Sequence, residues 1–179
     1  MHLFIDTNIY LDFFHFSGPE IEELHKLTAL LEDGQVFAWG VKHHGALGNG
    51  EDGTQRTPAL IPDLTDVTAM VATNGHTLAL LSDGTVRAWG WNDSGQLGDG
   101  SMLTQTSPTT VPDLSDVIAL TADDSRSLAL KTDGTVWTWG AAWSGEPAEI
   151  VPPRYLLVPT LFDGLSDVQA LSARSGHAV

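Results

Sequence analysis

The chain of 179 residues contains no cysteine, so no disulfide can staple it and cysteine usage gives no clue to its compartment. Positive charge is scarce: 8 Lys and Arg residues stand against 23 acidic ones, a net charge of -15. The eight cations, Lys26, Lys42, Arg56, Arg87, Arg126, Lys131, Arg154 and Arg174, are scattered along the chain. A surface of this charge repels phosphate backbones, which argues against nucleic acid as a direct partner. Long apolar runs are missing too. Asp6 and Asp12 interrupt the first apolar stretch, no basic segment precedes it, and nothing approaches the ~20 residues needed to span a membrane. Neither a membrane partner nor a secretory leader is expected, and the expected location is the cytoplasm. No Ser-His-Asp arrangement, phosphate-cradling Walker loop or dinucleotide fingerprint emerges, so no cofactor is expected.

What is present is a repeat. Asp33-Gly34-Gln35-Val36-Phe37-Ala38-Trp39-Gly40 returns fifty residues later as Asp83-Gly84-Thr85-Val86-Arg87-Ala88-Trp89-Gly90, and again as Asp133-Gly134-Thr135-Val136-Trp137-Thr138-Trp139-Gly140. Gly75-His76-Thr77-Leu78-Ala79-Leu80 precedes the second copy, Ser125-Arg126-Ser127-Leu128-Ala129-Leu130 the third, and Gly176-His177 opens another unit interrupted at Val179. A glycine-rich loop follows the first two Trp-Gly pairs: Gly45-Ala46-Leu47-Gly48 and Gly95-Gln96-Leu97-Gly98. The third loop, Gly145-Glu146-Pro147-Ala148, has lost the pattern. A proline-led strand closes each unit through Pro62-Asp63-Leu64-Thr65-Asp66-Val67, Pro112-Asp113-Leu114-Ser115-Asp116-Val117 and Leu165-Ser166-Asp167-Val168.

Asp-Gly between two alternating apolar runs signals a two-residue hairpin, with both central residues at positive φ. Val86 and Ala88 are expected to face inward, with Thr85, Arg87 and Trp89 on the less buried face. A period near fifty with strand and turn in each unit points to propeller blades rather than helical solenoids. The expected fold is mainly β: a partial propeller of about two and a half to three blades, at about residues 32–74, 75–124 and 125–175, the last truncated. Trp39, Gly40, Trp89, Gly90, Trp139 and Gly140, with Gly75, His76, Gly95, Leu97 and Gly98, are the candidate structural residues of the repeat.

These motifs resemble the regulator-of-chromosome-condensation repeat family, particularly its bacterial members, over about residues 30–179. The resemblance implies a propeller of roughly seven four-stranded blades, of which this chain carries too few to close a ring. Its unpaired strand edges would then recruit a protein partner or a second copy. Some eukaryotic members act as nucleotide-exchange factors for a small GTPase and bind chromatin through loops of a complete ring; no such loop is matched here.

The first thirty residues obey other rules. Leu3-Phe4-Ile5-Asp6-Thr7-Asn8 reads as a short buried strand. Ser17-Gly18-Pro19-Glu20 has the form of a capping box, and Ile21, Leu24, Leu27 and Leu31 follow at helical spacing, giving a strand-helix segment over residues 1–31 with its helix at about 19–31. Phe4-Ile5-Asp6-Thr7-Asn8 resembles the opening of the PIN-domain nucleases. The resemblance implies a Mg²⁺ or Mn²⁺ ligand at Asp6, with Thr7 and Asn8 orienting the site. Two-metal hydrolysis needs several converging carboxylates. The PIN scaffold takes them from later elements, which are replaced here by repeats, so an inactive remnant is expected. Glu20, Glu22 and Glu23 read as a solvated first turn of the helix.

The segment Leu27-Thr28-Ala29-Leu30-Leu31 also matches Thr77-Leu78-Ala79-Leu80-Leu81. It therefore satisfies both patterns, as expected of a fusion or fragment joined where two sequences agree. The expectation is a helix ending near Leu31, which leaves residues 35–39 without their hairpin partner. His43 and His44 are adjacent in a loop and are read as loop residues rather than metal ligands. His76 and His177 are read as hydrogen-bonded within blades, and Asp63, Asp66, Asp113, Asp116, Asp123 and Asp124 as turn and edge residues. The leading functional reading is a non-enzymatic protein-interaction module. The alternatives are a PIN-like metal-dependent ribonuclease remnant and an exchange-factor-like role.

Overall fold

The computed structural model describes residues 27–30, 35–51, 53–141, 155–174 and 177–178. The first sheet has three strands in the order β1-β2-β3, namely β1 (Leu27–Leu30), β2 (Val36–Lys42) and β3 (Gly53–Leu60). The second is a four-stranded antiparallel meander of β4 (Val67–Ala72), β5 (His76–Leu81), β6 (Val86–Gly90) and β7 (Gln105–Thr110). The third repeats it with β8 (Val117–Ala122), β9 (Arg126–Lys131), β10 (Val136–Ala141) and β11 (Tyr155–Leu161). A short pair, β12 (Ala173–Arg174) and β13 (His177–Ala178), follows.

Leu27–Leu30 is a strand paired with β2, Leu27 opposite Trp39 and Leu30 opposite Val36. A helix running to Leu31 is therefore excluded over these four residues, and β2 keeps its hairpin partner. Ladder hydrogen bonds with β2 outweigh a helical spacing that rests on leucines alone. The rest of the expected strand-helix segment, with Asp6, Thr7 and Asn8, lies outside the described residues.

The sheets are out of phase with the sequence units. Strands β4 to β7 share one hydrogen-bonded sheet and strands β8 to β11 another, so the expected divisions near residues 75 and 125 fall inside sheets. The breaks come at the Pro-Asp turns. These are turns rather than the start of a proline-led strand, because Asp63, Asp66, Asp113 and Asp116 all take positive φ, between 55° and 61°. Aspartate tolerates this left-handed region better than most residues.

The hairpin turns also differ from expectation. Only Gly84 (φ 78°) and Gly134 (φ 79°) are left-handed there, while Asp83 and Asp133 are not. The Gly84 amide donates to the Leu81 carbonyl at 3.0 Å and the Leu81 amide to the Thr85 carbonyl at 2.9 Å. This is a turn closed by a left-handed glycine bulge, not a two-residue hairpin. The Asp83 carboxylate accepts the Thr85 amide at 2.9 Å and its hydroxyl at 2.6 Å, and Asp133 does the same to Thr135 at 3.0 and 2.6 Å.

Burial corrects the inward-outward assignment. In β5 and β9 the first five residues are all buried. One face of the second sheet (Leu78, Leu80, Val86, Ala88) packs with Ala129 and Trp139 of the third. Its other face (Ala79, Trp89) packs with Val36 and Ala38 of the first. Both faces are covered because the sheets stack, so alternation does not separate core from solvent, and Trp89 is buried rather than outward.

The two Asp-Thr turns give a pH prediction. Hydrogen bonds from the Thr85 and Thr135 hydroxyls, then from their amides, hold the Asp83 and Asp133 carboxyls below the ordinary aspartate value of 3.8. A depressed folded-state value stabilises the native state above the ordinary carboxylate range, and the contribution disappears as pH falls through the depressed value. A D83A/D133A variant should be less stable than the parent at pH 7 and converge on it in acid. Denaturant unfolding across pH 2–7 checks this; a constant gap would refute it.

Candidate functional site

The contacts between successive sheets centre on a tryptophan and a glycine-rich loop. β6 pairs with β5 in unbroken register, Thr77 opposite Trp89, but its register with β7 shifts between Ala88 and Gly90. β2 and β10 shift at the same place, between Ala38 and Gly40 and between Thr138 and Gly140. Each Trp thus sits in a bulge at the rim of its sheet. The glycine after it is a steric requirement: Gly90 has φ 102°, and a Cβ there would lie 2.3 Å from the Gly75 carbonyl oxygen. That carbonyl instead accepts the Trp91 amide at 2.8 Å.

Trp89 (1% exposed) reaches the loop of the first sheet, and Trp139 (0%) reaches the loop of the second. The indole N–H of Trp89 donates to the Ala46 carbonyl at 3.0 Å, which also accepts the Thr77 hydroxyl at 3.2 Å. The Gln96 carbonyl likewise accepts the Trp139 indole at 2.9 Å and the Ser127 hydroxyl at 2.8 Å. Each buried carbonyl therefore has two donors from the next sheet. The loop comes so close that a Cβ on Gly48 would lie 2.6 Å from Trp89 Nε1, and one on Gly98 would lie 2.7 Å from Trp139 Cδ1. The loop leucines, Leu47 and Leu97, are fully buried beside these rings. The loops' last glycines finish the contact: Gly50 N–H donates to Thr106 O, and Gly100 N–H to Leu157 O, each at 2.9 Å.

His76, fully buried, is hydrogen-bonded both within its own sheet and to the next one. Its Nε2 lies 3.1 Å from Ser127 Oγ and its Nδ1 lies 3.0 Å from Thr73 Oγ1. Because the Ser127 proton is committed to Gln96 O, Ser127 must accept, so the network assigns the proton to His76 Nε2. Arg126 holds the equivalent place in the third sheet and donates through Nε to the Ala141 carbonyl at 2.7 Å. His177 lies in β13.

Several contributors lacked a sequence signal. Asn92 is fully buried and ties the second loop together: Oδ1 accepts the Leu97 amide at 2.9 Å, while Nδ2 reaches Asp99 Oδ1 at 3.2 Å and Ser101 O at 3.1 Å. Ser127 and Thr73 act through partners in other strands or turns. His44 stacks on Trp91, ring centroids 5.4 Å apart, and both His43 and His44 are exposed on their loop. Among the described residues no group of three His, Asp or Glu side chains could hold a metal ion. No helix among them is long and apolar enough to cross a membrane. Two shallow grooves, of about 330 and 250 Å³, meet at Asp63 and Arg87 and have mostly polar linings.

Meander sheets of four strands, each docked through a tryptophan onto the glycine loop of the one before, define blades of a β-propeller. The regulator of chromosome condensation (RCC1) repeat model matches residues 33–80 and 83–130, and a second RCC1 repeat model matches 67–96. The chain belongs to the RCC1 repeat family. It is similar to the yeast RCC1 protein Prp20, in a structure bound to Kap60, with TM-score 0.73 and 24% identity, covering 86% of this chain and 39% of that one. It is similar to human WBSCR16 with TM-score 0.72 and 25% identity, covering 83% and 40%. A further structure, of Prp20p from Saccharomyces cerevisiae, described with its binding to Gsp1p and histones, gives 0.70 and 24% over 86% and 40%. The chain thus spans about two fifths of these proteins.

The shared carbonyl makes a specific thermodynamic prediction. Thr77→Val alone leaves Ala46 O one donor and should cost about 1 kcal/mol, while Trp89→Phe also leaves it one donor but should cost about 2–3 kcal/mol, because the smaller ring opens a cavity at a fully buried site. The double variant orphans a buried carbonyl and should cost more than the sum by about 1 kcal/mol. Denaturant unfolding of the four proteins in the cycle measures the coupling; strict additivity would exclude a shared role.

Proposed function

We propose that this chain is a non-enzymatic protein-interaction module that binds through the exposed edges of its blades, either to a protein partner or to a second copy of itself. The observation that carries the reading is the outer strand β11, whose far edge pairs with no described strand. It exposes Val158 (46%) and Leu161 (43%), and Leu60 (45%) lies at the matching register of β3. An exposed apolar edge is a template for adding a strand from another chain. The yeast relative is described as bound to Kap60, and as binding Gsp1p and histones. Those associations support protein binding as the general mode and do not name a partner for this chain. The net charge of -15 weighs against nucleic acid.

Sedimentation velocity of the full chain over a wide concentration range, alone and with V158K/L161K, tests the edge. Concentration-dependent association weakened about tenfold or more by the two lysines is expected, since charge on an edge strand blocks pairing. A chain that stays monomeric at every concentration and forms no complex with any protein, whether or not the lysines are present, counts against the module.

The Phe4-Ile5-Asp6-Thr7-Asn8 motif favours a second reading, a PIN-like metal-dependent ribonuclease remnant. RNA cleavage in Mn²⁺ that disappears in Asp6→Ala would establish it. The outcome expected from the missing carboxylates is no cleavage by either protein.

A further inference from the structure

The first sheet repeats the docking register that the other two use, and among the described residues no loop is docked on it. Trp39 stands in the register of Trp89 and Trp139, yet it is only half-buried, and among the described residues its indole N–H meets no acceptor. Arg56, in the register of Thr106 and Leu157, is exposed, whereas those two residues are half-buried under the loops of the preceding sheets. Ala29 occupies the register of Ala79 and Ala129, the small residues beside which the loop leucines are buried.

Resting on the interaction-module reading, we propose that this face is a binding socket for a glycine-rich turn of the Gly-x-Leu-Gly type, carried by another RCC1-repeat chain. Both internal junctions of this protein specify the occupant. It must offer a backbone carbonyl to the indole N–H, place a leucine beside Ala29, lay a glycine flat on the ring, and donate a final amide to the Arg56 carbonyl. A second copy of this chain is a poor source. Its two intact loops are already docked on Trp89 and Trp139, and the third position reads Gly145-Glu146-Pro147-Ala148, without the leucine or the second glycine.

One difference makes the socket tunable. Leu27 takes the register of Thr77 and Ser127, so the hydroxyl that gives each internal carbonyl its second donor is missing. The incoming carbonyl receives one hydrogen bond where the internal ones receive two. Binding should therefore be reversible, and stronger when the hydroxyl is restored.

The test uses the full chain, ¹⁵N-labelled, and an unlabelled peptide of residues 91–105 cyclised end to end, which carries the Asn92 contacts that organise the second loop. Trp39→Phe assigns the Trp39 indole signal. The expected result is a peptide-dependent shift of that signal, with the Trp89 and Trp139 indoles unmoved. Binding should fall about tenfold in Trp39→Phe and rise several-fold in Leu27→Thr. A peptide carrying Gly98→Ala should not bind. The unliganded Trp39 indole proton should also exchange with solvent much faster than those of Trp89 and Trp139, a readout independent of peptide affinity. Equal protection of the three indoles, or peptide binding undiminished in Trp39→Phe, overturns the socket. If V158K/L161K abolishes association while the peptide leaves Trp39 unmoved, the socket is wrong and the module reading stands.

Discussion

Everything in this molecule leans on one buried carbonyl per junction. Ala46 O and Gln96 O each sit beneath the next sheet, out of reach of water, and each would be costly if unpaired. The next sheet supplies both donors, an indole N–H from the rim of one strand and a hydroxyl from the strand opposite. Because these two residues are cross-strand partners, the carbonyl reads whether that hairpin is formed and in register. A loop that docks correctly thus certifies the sheet that docks on it. Stability is passed from neighbour to neighbour, as in other repeat proteins, and no sheet is complete by itself.

The Trp-Gly pair follows from the same constraint. A large ring can reach the neighbouring loop only if its own strand turns it outward at the rim, which the bulge achieves, and the residue after it must then pass close to the Gly75 or Ser125 carbonyl. Across the junction the loop must be as thin as backbone permits, because the ring is already in contact with Gly48 or Gly98. Glycine on both sides of the interface and tryptophan between them are one solution to one packing problem, and this is why they recur together.

Much of this was legible in the sequence, for identifiable reasons. Turns, strands and period were readable because Asp-Gly, Trp-Gly and the apolar runs act locally and repeat. The orientation of Trp89 was not, since alternation assumes a solvent face and these sheets are covered on both. An Asp-Gly pair suggests positive φ at both Asp83 and Gly84, although a glycine bulge needs it only at the glycine. Leu27–Leu30 satisfies two periodicities at once, and only pairing with β2 chooses between them. The His76–Ser127 contact spans two sheets, fifty-one positions apart, and no local pattern encodes such a partner. Of the candidate residues, Asp6, Thr7 and Asn8 lie outside the described structure, and Trp89, Trp139, Leu97 and Gly98 meet at junctions between sheets rather than in a cleft.

That arrangement bears on what kind of assembly the chain can form. Head-to-tail growth of identical copies requires a socket at one end and an intact glycine loop at the other, and a junction of this kind does not close on itself after two copies. The socket residues persist at Trp39 and Ala29, while the sequence at 145–148 has lost the leucine and glycine that would enter such a socket. The two kinds of contact are therefore not interchangeable. Strand-edge pairing through β11 is symmetric in principle and can stop at a dimer, whereas the Trp39 face demands a loop this chain does not spare. On the proposed reading, edge pairing through β11 admits a second copy, while the Trp39 face calls for the loop of a different repeat chain, because the sequence at 147 and 148 offers neither the leucine nor the glycine of the internal junctions.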